Sequence, residues 1–375
     1  MIDIDAVLKE LVTRRGSDLH LKVGRPPLMR LSSELIPSEF PPITAEDLRV
    51  ALQRVLGDAA LGRLDEEGEL DASYEIDGVA RFRINVFKER SRFSLVARVV
   101  PLTIPTIEGL GLPAVLKDIC QAPQGLVLVT GPTGSGKSTT LASLINHINE
   151  TQALNILTIE DPIEFIYDDK KSVVRQRQLG TDVKSVTEAL RRVLRQDPDV
   201  ILVGEMRDKE TIDLALHAAE TGHLVFSTLH TNDAKQTLDR IIDVYPAEEH
   251  PQLRSQLALT LQAVVSQRLI RRADGSGRIA AMEILINTPN IRDLIVEGKT
   301  SSIEKAMGGA GDYYRMQTFN QALAKLTTEK VITADEALAS TTNPNDLKLM
   351  LKGFTTNAVA RTTEARPAMK ITKSF

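Results

Sequence analysis

Gly131-Pro132-Thr133-Gly134-Ser135-Gly136-Lys137-Ser138 fits the G-x-x-x-x-G-K-[ST] pattern of a phosphate-binding loop, and its flanks are those the pattern requires. The apolar run Leu126 to Thr130 precedes it as a strand, and Leu141, Leu144, Ile145 and Ile148 follow at helical spacing. Glycines let such a loop fold round a polyphosphate so that successive backbone N–H groups and the helix N-terminus face the anion. Lys137 then neutralises the outer phosphates and Ser138 takes magnesium, with Thr139 completing the nucleotide-binding run Gly131 to Thr139.

Outward from the loop, short apolar runs alternate with helical patterns: Ile156 to Glu160, Val200 to Glu205 and Leu224 to Thr228. Continuous apolar strands of this kind belong to a parallel sheet buried on both faces, so this region is α/β. Two runs end in acid. Glu205 closes the strand Val200 to Val203, with Gly204 standing where many such enzymes place a magnesium-holding Asp. Hydrolysis needs an oriented water and stabilised phosphate charge, so Glu205 is the candidate to act on the water. Glu160 and Glu164, in Glu160-Asp161-Pro162-Ile163-Glu164, are candidates to help hold hydrated magnesium, giving a metal set of Ser138, Glu164 and Glu205. Capping and turn formation would also use acids at these places. His223 and His230 bracket the strand Leu224 to Thr228, where each is a candidate to sense the nucleotide's terminal phosphate and, equally, to be a satisfied core or loop residue.

Before the loop the pattern is α+β: a helix from Ile4, a strand at Leu19 to Val23, a helix between Ala45 and Leu56, and strands at Glu69 to Ile76, Ala80 to Phe87 and Phe93 to Val99. Pro101, Pro105, Gly109, Gly111 and Pro113 mark a linker. After Pro251 the pattern turns mostly helical, with one strand at Ile279 to Ile286. The expected division is an N-terminal domain over 1–105, a linker over 106–123, an ATPase core over 124–290, a helical region over 291–353 and a disordered tail over 354–375.

The 375 residues carry 46 Lys and Arg against 50 Asp and Glu, without the basic excess of a nucleic-acid-coating protein. Arg175, Arg177, Arg191, Arg192 and Arg195 form a local basic cluster that leaves a nucleic-acid translocase as a rival reading, though aromatics are only 4% of the chain and stacking platforms are scarce. A lone cysteine, Cys120, excludes a disulfide scaffold and a four-cysteine zinc module. The acidic N-terminus and the lack of an apolar run near 20 residues point to the cytoplasm. Arg81, Arg83 and Arg98 lie on strands of the first domain, where alternation puts Arg81 and Arg83 on one face, either solvated or reaching a neighbouring subunit's phosphates.

The chain resembles the bacterial secretion and pilus ATPases, and among them the type IV pilus retraction ATPases of the PilT/PilU family. The resemblance rests on Gly16-Ser17-Asp18-Leu19-His20-Leu21, the phosphate loop, Ile159 to Glu164, Leu194 to Asp208 and Glu220 to Asn232. It implies a PAS-like α+β N-terminal domain followed by a RecA-like ATPase core with a helical C-terminal region, assembled as a homohexamer that hydrolyses ATP with magnesium. It also implies that Glu205 is the catalytic glutamate of an atypical Walker B strand, that Ile159 to Glu164 is an Asp box, and that His223 and His230 form a His box. Arg83 and Arg98 would complete the site from the N-terminal domain. Implied partners are an inner-membrane pilus platform protein and a paralogous ATPase, at the inner face of the cytoplasmic membrane, with pilus retraction and twitching motility as the work done. No long extra N-terminal domain or four-cysteine module marks the extension branch, so retraction is favoured. Ile286-Asn287-Thr288-Pro289 and Met316-Gln317-Thr318-Phe319 suit both PilT and PilU, and the choice between them stays open.

Overall fold

The computed structural model describes residues 2–31, 34–100 and 103–353, so the expected tail lies outside the described residues. The chain forms two compact units, Met1–Ile104 with Glu164–Ile166, and Pro105–Ile163 with the chain from Tyr167 onward.

The first unit begins with α1 (Ile4–Thr13), capped by the Asp3 side chain on Asp5 N–H and burying Ile4, Val7, Leu8 and Leu11. It continues through β1 (Asp18–Lys22), β2 (Leu28–Leu31), β3 (Glu34–Pro37), α2 (Ala45–Glu67), β4 (Glu69–Ile76), β5 (Ala80–Glu89) and β6 (Arg92–Val100). The strands form one antiparallel sheet in the order β3-β2-β1-β6-β5-β4. On β5, Ala80, Phe82, Ile84 and Val86 are buried while Arg83 between them is exposed, the alternation of a sheet with one packed face. Helix α2 runs past Leu56, with a break at Gly57, whose φ of +74° is outside the helical range.

The second unit comprises α3 (Val115–Ile119), β7 (Gly125–Thr130), α4 (Lys137–Thr151), β8 (Asn155–Glu160), β9 (Val173–Gln178), α5 (Val186–Val193), β10 (Val200–Val203), α6 (Lys209–Glu220), β11 (Leu224–Leu229) and α7 (Ala234–Ile242). After these come α8 (His250–Thr260), β12 (Leu261–Arg271), β13 (Arg278–Ile286), α9 (Pro289–Val296), α10 (Ile303–Tyr314), α11 (Phe319–Thr328), α12 (Ala334–Ser340) and α13 (Pro344–Leu351). Its sheet has the order β13-β12-β7-β11-β10-β8-β9 and is parallel except for the β12–β13 pair. Every residue of β7, β10 and β11 is buried, which is why these strands read as unbroken apolar runs.

One expectation fails here. Leu261–Arg271, placed in a mostly helical region by its spacing, is a strand. Leu257, Leu261, Val264 and Val265 suit a helical face, but β12 lies between β7 and β13 and is buried along most of its length, so no polar alternation betrays it. Leu323, Ile332, Ala337 and Leu347 of the C-terminal helical segment then pack on Ile270, Ile279 and Ala281 of this hairpin.

Candidate active site

The loop between β7 and α4 is shaped by what lies under it. Gly131 (φ +143°) and Gly136 (φ +90°) lie in a region L side chains rarely adopt, and a Cβ on them would stand 2.4 Å from Gln267 O and 2.8 Å from Gln267 Nε2. Gln267 of β12, 2% exposed, donates from Nε2 to Ser135 O at 2.6 Å and accepts from Thr140 Oγ1 at 2.7 Å. It thus clamps the loop to the first turn of α4. Thr130 Oγ1 donates to Ser266 Oγ at 2.8 Å, joining β7 to β12 just before the loop. Sequence reasoning missed Gln267; the signal was Ser266-Gln267, two polar residues closing an apolar run.

No side chain caps the N-terminus of α4, so its leading N–H groups face the loop. Lys137, 9% exposed, curls back so that Nζ donates to Gly131 O at 2.8 Å and Pro132 O at 3.2 Å. Ser135 Oγ is buried without a hydrogen-bond partner. Pro132, Thr133 and Gly134 are exposed at the loop's tip, while Ser138 and Thr139 are half-buried on the first turn of α4. Backbone donors, a buried ammonium and an orphaned hydroxyl are the donor set a polyphosphate requires.

Glu205 follows the end of β10. Gly204 N–H donates to Ile159 O at 2.9 Å, and a Cβ there would come within 3.3 Å of that oxygen, so this strand end approaches β8 too closely to welcome an Asp. Ser227 Oγ donates to Val203 O at 2.8 Å and Thr228 Oγ1 to Gly204 O at 2.6 Å, fixing the strand end to β11. The Glu205 carboxylate accepts from Arg207 Nε at 2.8 Å and lies 3.4 Å from His230 Nε2. The other ring nitrogen, His230 Nδ1, is 3.5 Å from Lys137 Nζ. His230 thus presents one ring nitrogen to the acid and the other to the phosphate-loop lysine, standing between the two. Beyond them opens a cleft of about 350 Å³ lined by Glu205, Arg207, His230 and Arg240.

His223 is not brought to this group. Its strand β11 runs parallel to β7 with Leu224 beside Gly125 and Leu229 beside Thr130, so His223 stands at the opposite end of the sheet from the loop. At roughly 3.3 Å per residue it lies about 20 Å away. There its Nδ1 is 2.8 Å from Ala218 O, a local tie to the end of α6. The expectation that both histidines flank the phosphate overlooked that a strand's two ends face opposite edges of a parallel sheet.

Glu160 ends β8, accepting from Thr158 Oγ1 at 2.6 Å and Gln176 Nε2 at 3.2 Å. Glu164 belongs to the first unit and is exposed. Arg83 and Arg98, also in the first unit, are direct cross-strand partners on β5 and β6. Arg98 Nε donates to Asp18 at 2.7 Å, and Arg30 stands 3.7 Å from the same acid. Burial works to raise the Asp18 carboxyl, but hydrogen bonds from Arg98 and Ser17 outweigh it and hold the group below its ordinary range. Arg83 is exposed on the face opposite Phe82.

Residues 63–339 match the family described as Type II/IV secretion system protein. The chain is 46% identical over 336 residues to the type IV pilus retraction ATPase PilT of Pseudomonas aeruginosa, covering 90% of this chain and 97% of that protein. It is 40% identical over 351 residues to the type IV pilus ATPase PilU of the same organism, covering 94% and 92%. A crystal structure of the pilus retraction motor PilT with bound ADP superposes with a TM-score of 0.87 at 44% identity, covering 93% of this chain and 99% of that one.

Proposed function

We propose, for a chain that belongs to the type II/IV secretion system protein family and is one of its ATPases, that it is the hexameric motor whose ATP hydrolysis drives type IV pilus retraction. The observation that carries the hydrolytic part is the linked set Lys137, His230 and Glu205 across the loop of β7 and the end of β10. The loop N–H groups and Lys137 hold the triphosphate. Glu205, kept oriented by Arg207, positions the attacking water on the terminal phosphorus and draws its proton. His230 joins the acid to the lysine, so loss of the terminal phosphate is felt at both. Magnesium would be held by Ser138 and the phosphates, with Glu160 a candidate for its water shell, and would supply neutralisation of developing charge. In the ring, Arg83 and Arg98 serve a neighbouring subunit's phosphates. Nucleotide moves the domains only by binding one arrangement better than another.

The PilT match supports retraction, with a membrane platform protein as the load and action at the inner face of the cytoplasmic membrane. The second reading, an accessory ATPase that depends on a paralogue, rests on the PilU match over 94% of the chain. Deleting the gene tests both: cells crowded with immobile pili support retraction. Bald cells mean extension. Normal twitching that is lost only when a paralogue is also impaired means the accessory role.

A further inference from the structure

The second unit holds a buried acid that the hydrolytic reading does not use. Glu283 on β13 is 5% exposed, and its Oε1 accepts the N–H of Ala234 at 2.8 Å. The backbone N–H of Phe319 also acts on the carboxyl, favouring its charged form. Ala234 and Phe319 are the first residues of α7 and α11, whose leading N–H groups have no partners within their own helices. One side chain therefore ends α7 and faces the start of α11, a helix far from it in sequence.

No ion pair to Glu283 forms among the described residues. The charged groups facing it are Asp233, the N-cap of α7, and Glu304 of α10. From β12, Ser266 stands opposite it in register, and Arg268 places its guanidinium over the Phe319 ring at 4.5 Å. Burial first, reinforced by Asp233 and Glu304 and opposed by the Ala234 and Phe319 N–H groups, lifts the Glu283 carboxyl to about 7. A buried acid among like charges is a poor choice for stability alone, and groups so perturbed concentrate at functional sites.

Its neighbours give the acid a direction of action. On one side, Gln317 exchanges backbone hydrogen bonds with Ile284 at 2.8 and 3.1 Å and donates from Nε2 to Met282 O at 2.9 Å, so the segment leading into α11 is stitched to β13 on both sides of Glu283. On the other, only His230, Thr231, Asn232 and Asp233 separate the end of β11 from Ala234. Thr231 and Thr237 hydroxyls meet at 2.7 Å, so this connection is short and tied to α7.

We propose that Glu283 is a positioning residue of the ATPase site: by pinning the start of α7 to β13, at the point where Gln317 stitches the segment leading into α11, it sets His230 against Lys137 and Glu205 and makes that alignment depend on where the C-terminal helices stand. The proposal rests on the reading that His230 and Glu205 act at the nucleotide. Ionised, the carboxylate accepts from Ala234 N–H beside the start of α11; protonated, it gives one oxygen over to an O–H.

The test uses the full-length chain with Glu283→Ala and Glu283→Gln, reading kcat, KM for ATP, nucleotide affinity, thermal melting and the pH dependence of kcat. Glu283→Ala is expected to lower kcat roughly 10- to 100-fold, the scale of a small misplacement of catalytic groups, with ATP affinity changed less than about twofold. Glu283→Gln keeps an acceptor for Ala234 N–H but cannot titrate. It is expected to erase the part of the wild-type rise in kcat that occurs near pH 7, where Glu283 ionises. Folded Glu283→Ala protein with kcat within twofold of wild type overturns the proposal, and so does a lowered melting temperature with unchanged kcat. If Glu283→Ala does not fold, the Glu283→Gln profile decides, and superposition on wild type overturns it. A fully active Glu205→Gln protein would instead remove the hydrolytic reading itself, which separates the two failures.

Discussion

The two ends of β11 carry the same residue type and do different things. At the carboxyl end, His230 stands between a buried lysine and a carboxylate, each within 3.5 Å of a ring nitrogen. At the amino end, the His223 ring meets Ala218 O and the Thr221 hydroxyl, contacts that close the turn after α6. Identical side chains on one strand thus separate into a site residue and a turn residue. The reason is that parallel strands bring their carboxyl ends, with the loops that follow, to one edge of the sheet.

The sharpest way to break this contrast is to remove the groups at the carboxyl end. Lys137→Ala should abolish measurable turnover and weaken nucleotide binding. Glu205→Gln should lower kcat by about 100-fold or more with binding retained, the usual scale for one group acting on transition-state charge. Steady-state ATPase assays beside a fluorescent-nucleotide titration separate the two effects. Near-normal turnover in Glu205→Gln would leave the carboxyl end without its chemistry.

A smaller effect comes from beneath the loop. Gln267→Ala leaves Ser135 O and Thr140 Oγ1 without their buried partner, costing about 1–3 kcal/mol. Melting should fall accordingly, and ATP affinity should weaken because the loop loses its clamp. A variant that melts lower but binds ATP as before would show that the loop holds its shape alone. At the amino end, His223→Ala should change kcat less than about twofold, whereas His230→Ala should lower it at least about tenfold. Equal losses in the pair, read in the same assay, would erase the distinction between the two ends.

Much of this was legible without coordinates. The phosphate loop announced itself because a backbone that must approach phosphate closely requires glycine at particular places, as the contacts at Gly131 and Gly136 show. The buried strands β7, β10 and β11 were legible as apolar runs because both faces are covered. Leu261–Arg271 escaped for the same reason in reverse, since a strand without a solvated face has no period by which to tell it from a helix. With it went Gln267 and Ser266. Glu283 escaped too, because a single acid in Ala281-Met282-Glu283-Ile284 carries no mark of the distant helix start that it ends.

By itself, then, the sequence determined the chemistry available: a glycine-built anion cradle, a lysine to fill it, and an acid and a histidine at the ends of apolar strands. Tertiary structure alone decided which of these groups meet. Lys137, Glu205 and His230 follow three different strands and lie up to 93 residues apart. Their convergence depends on strand order and parallel direction, and both follow from packing among distant segments that no local pattern encodes.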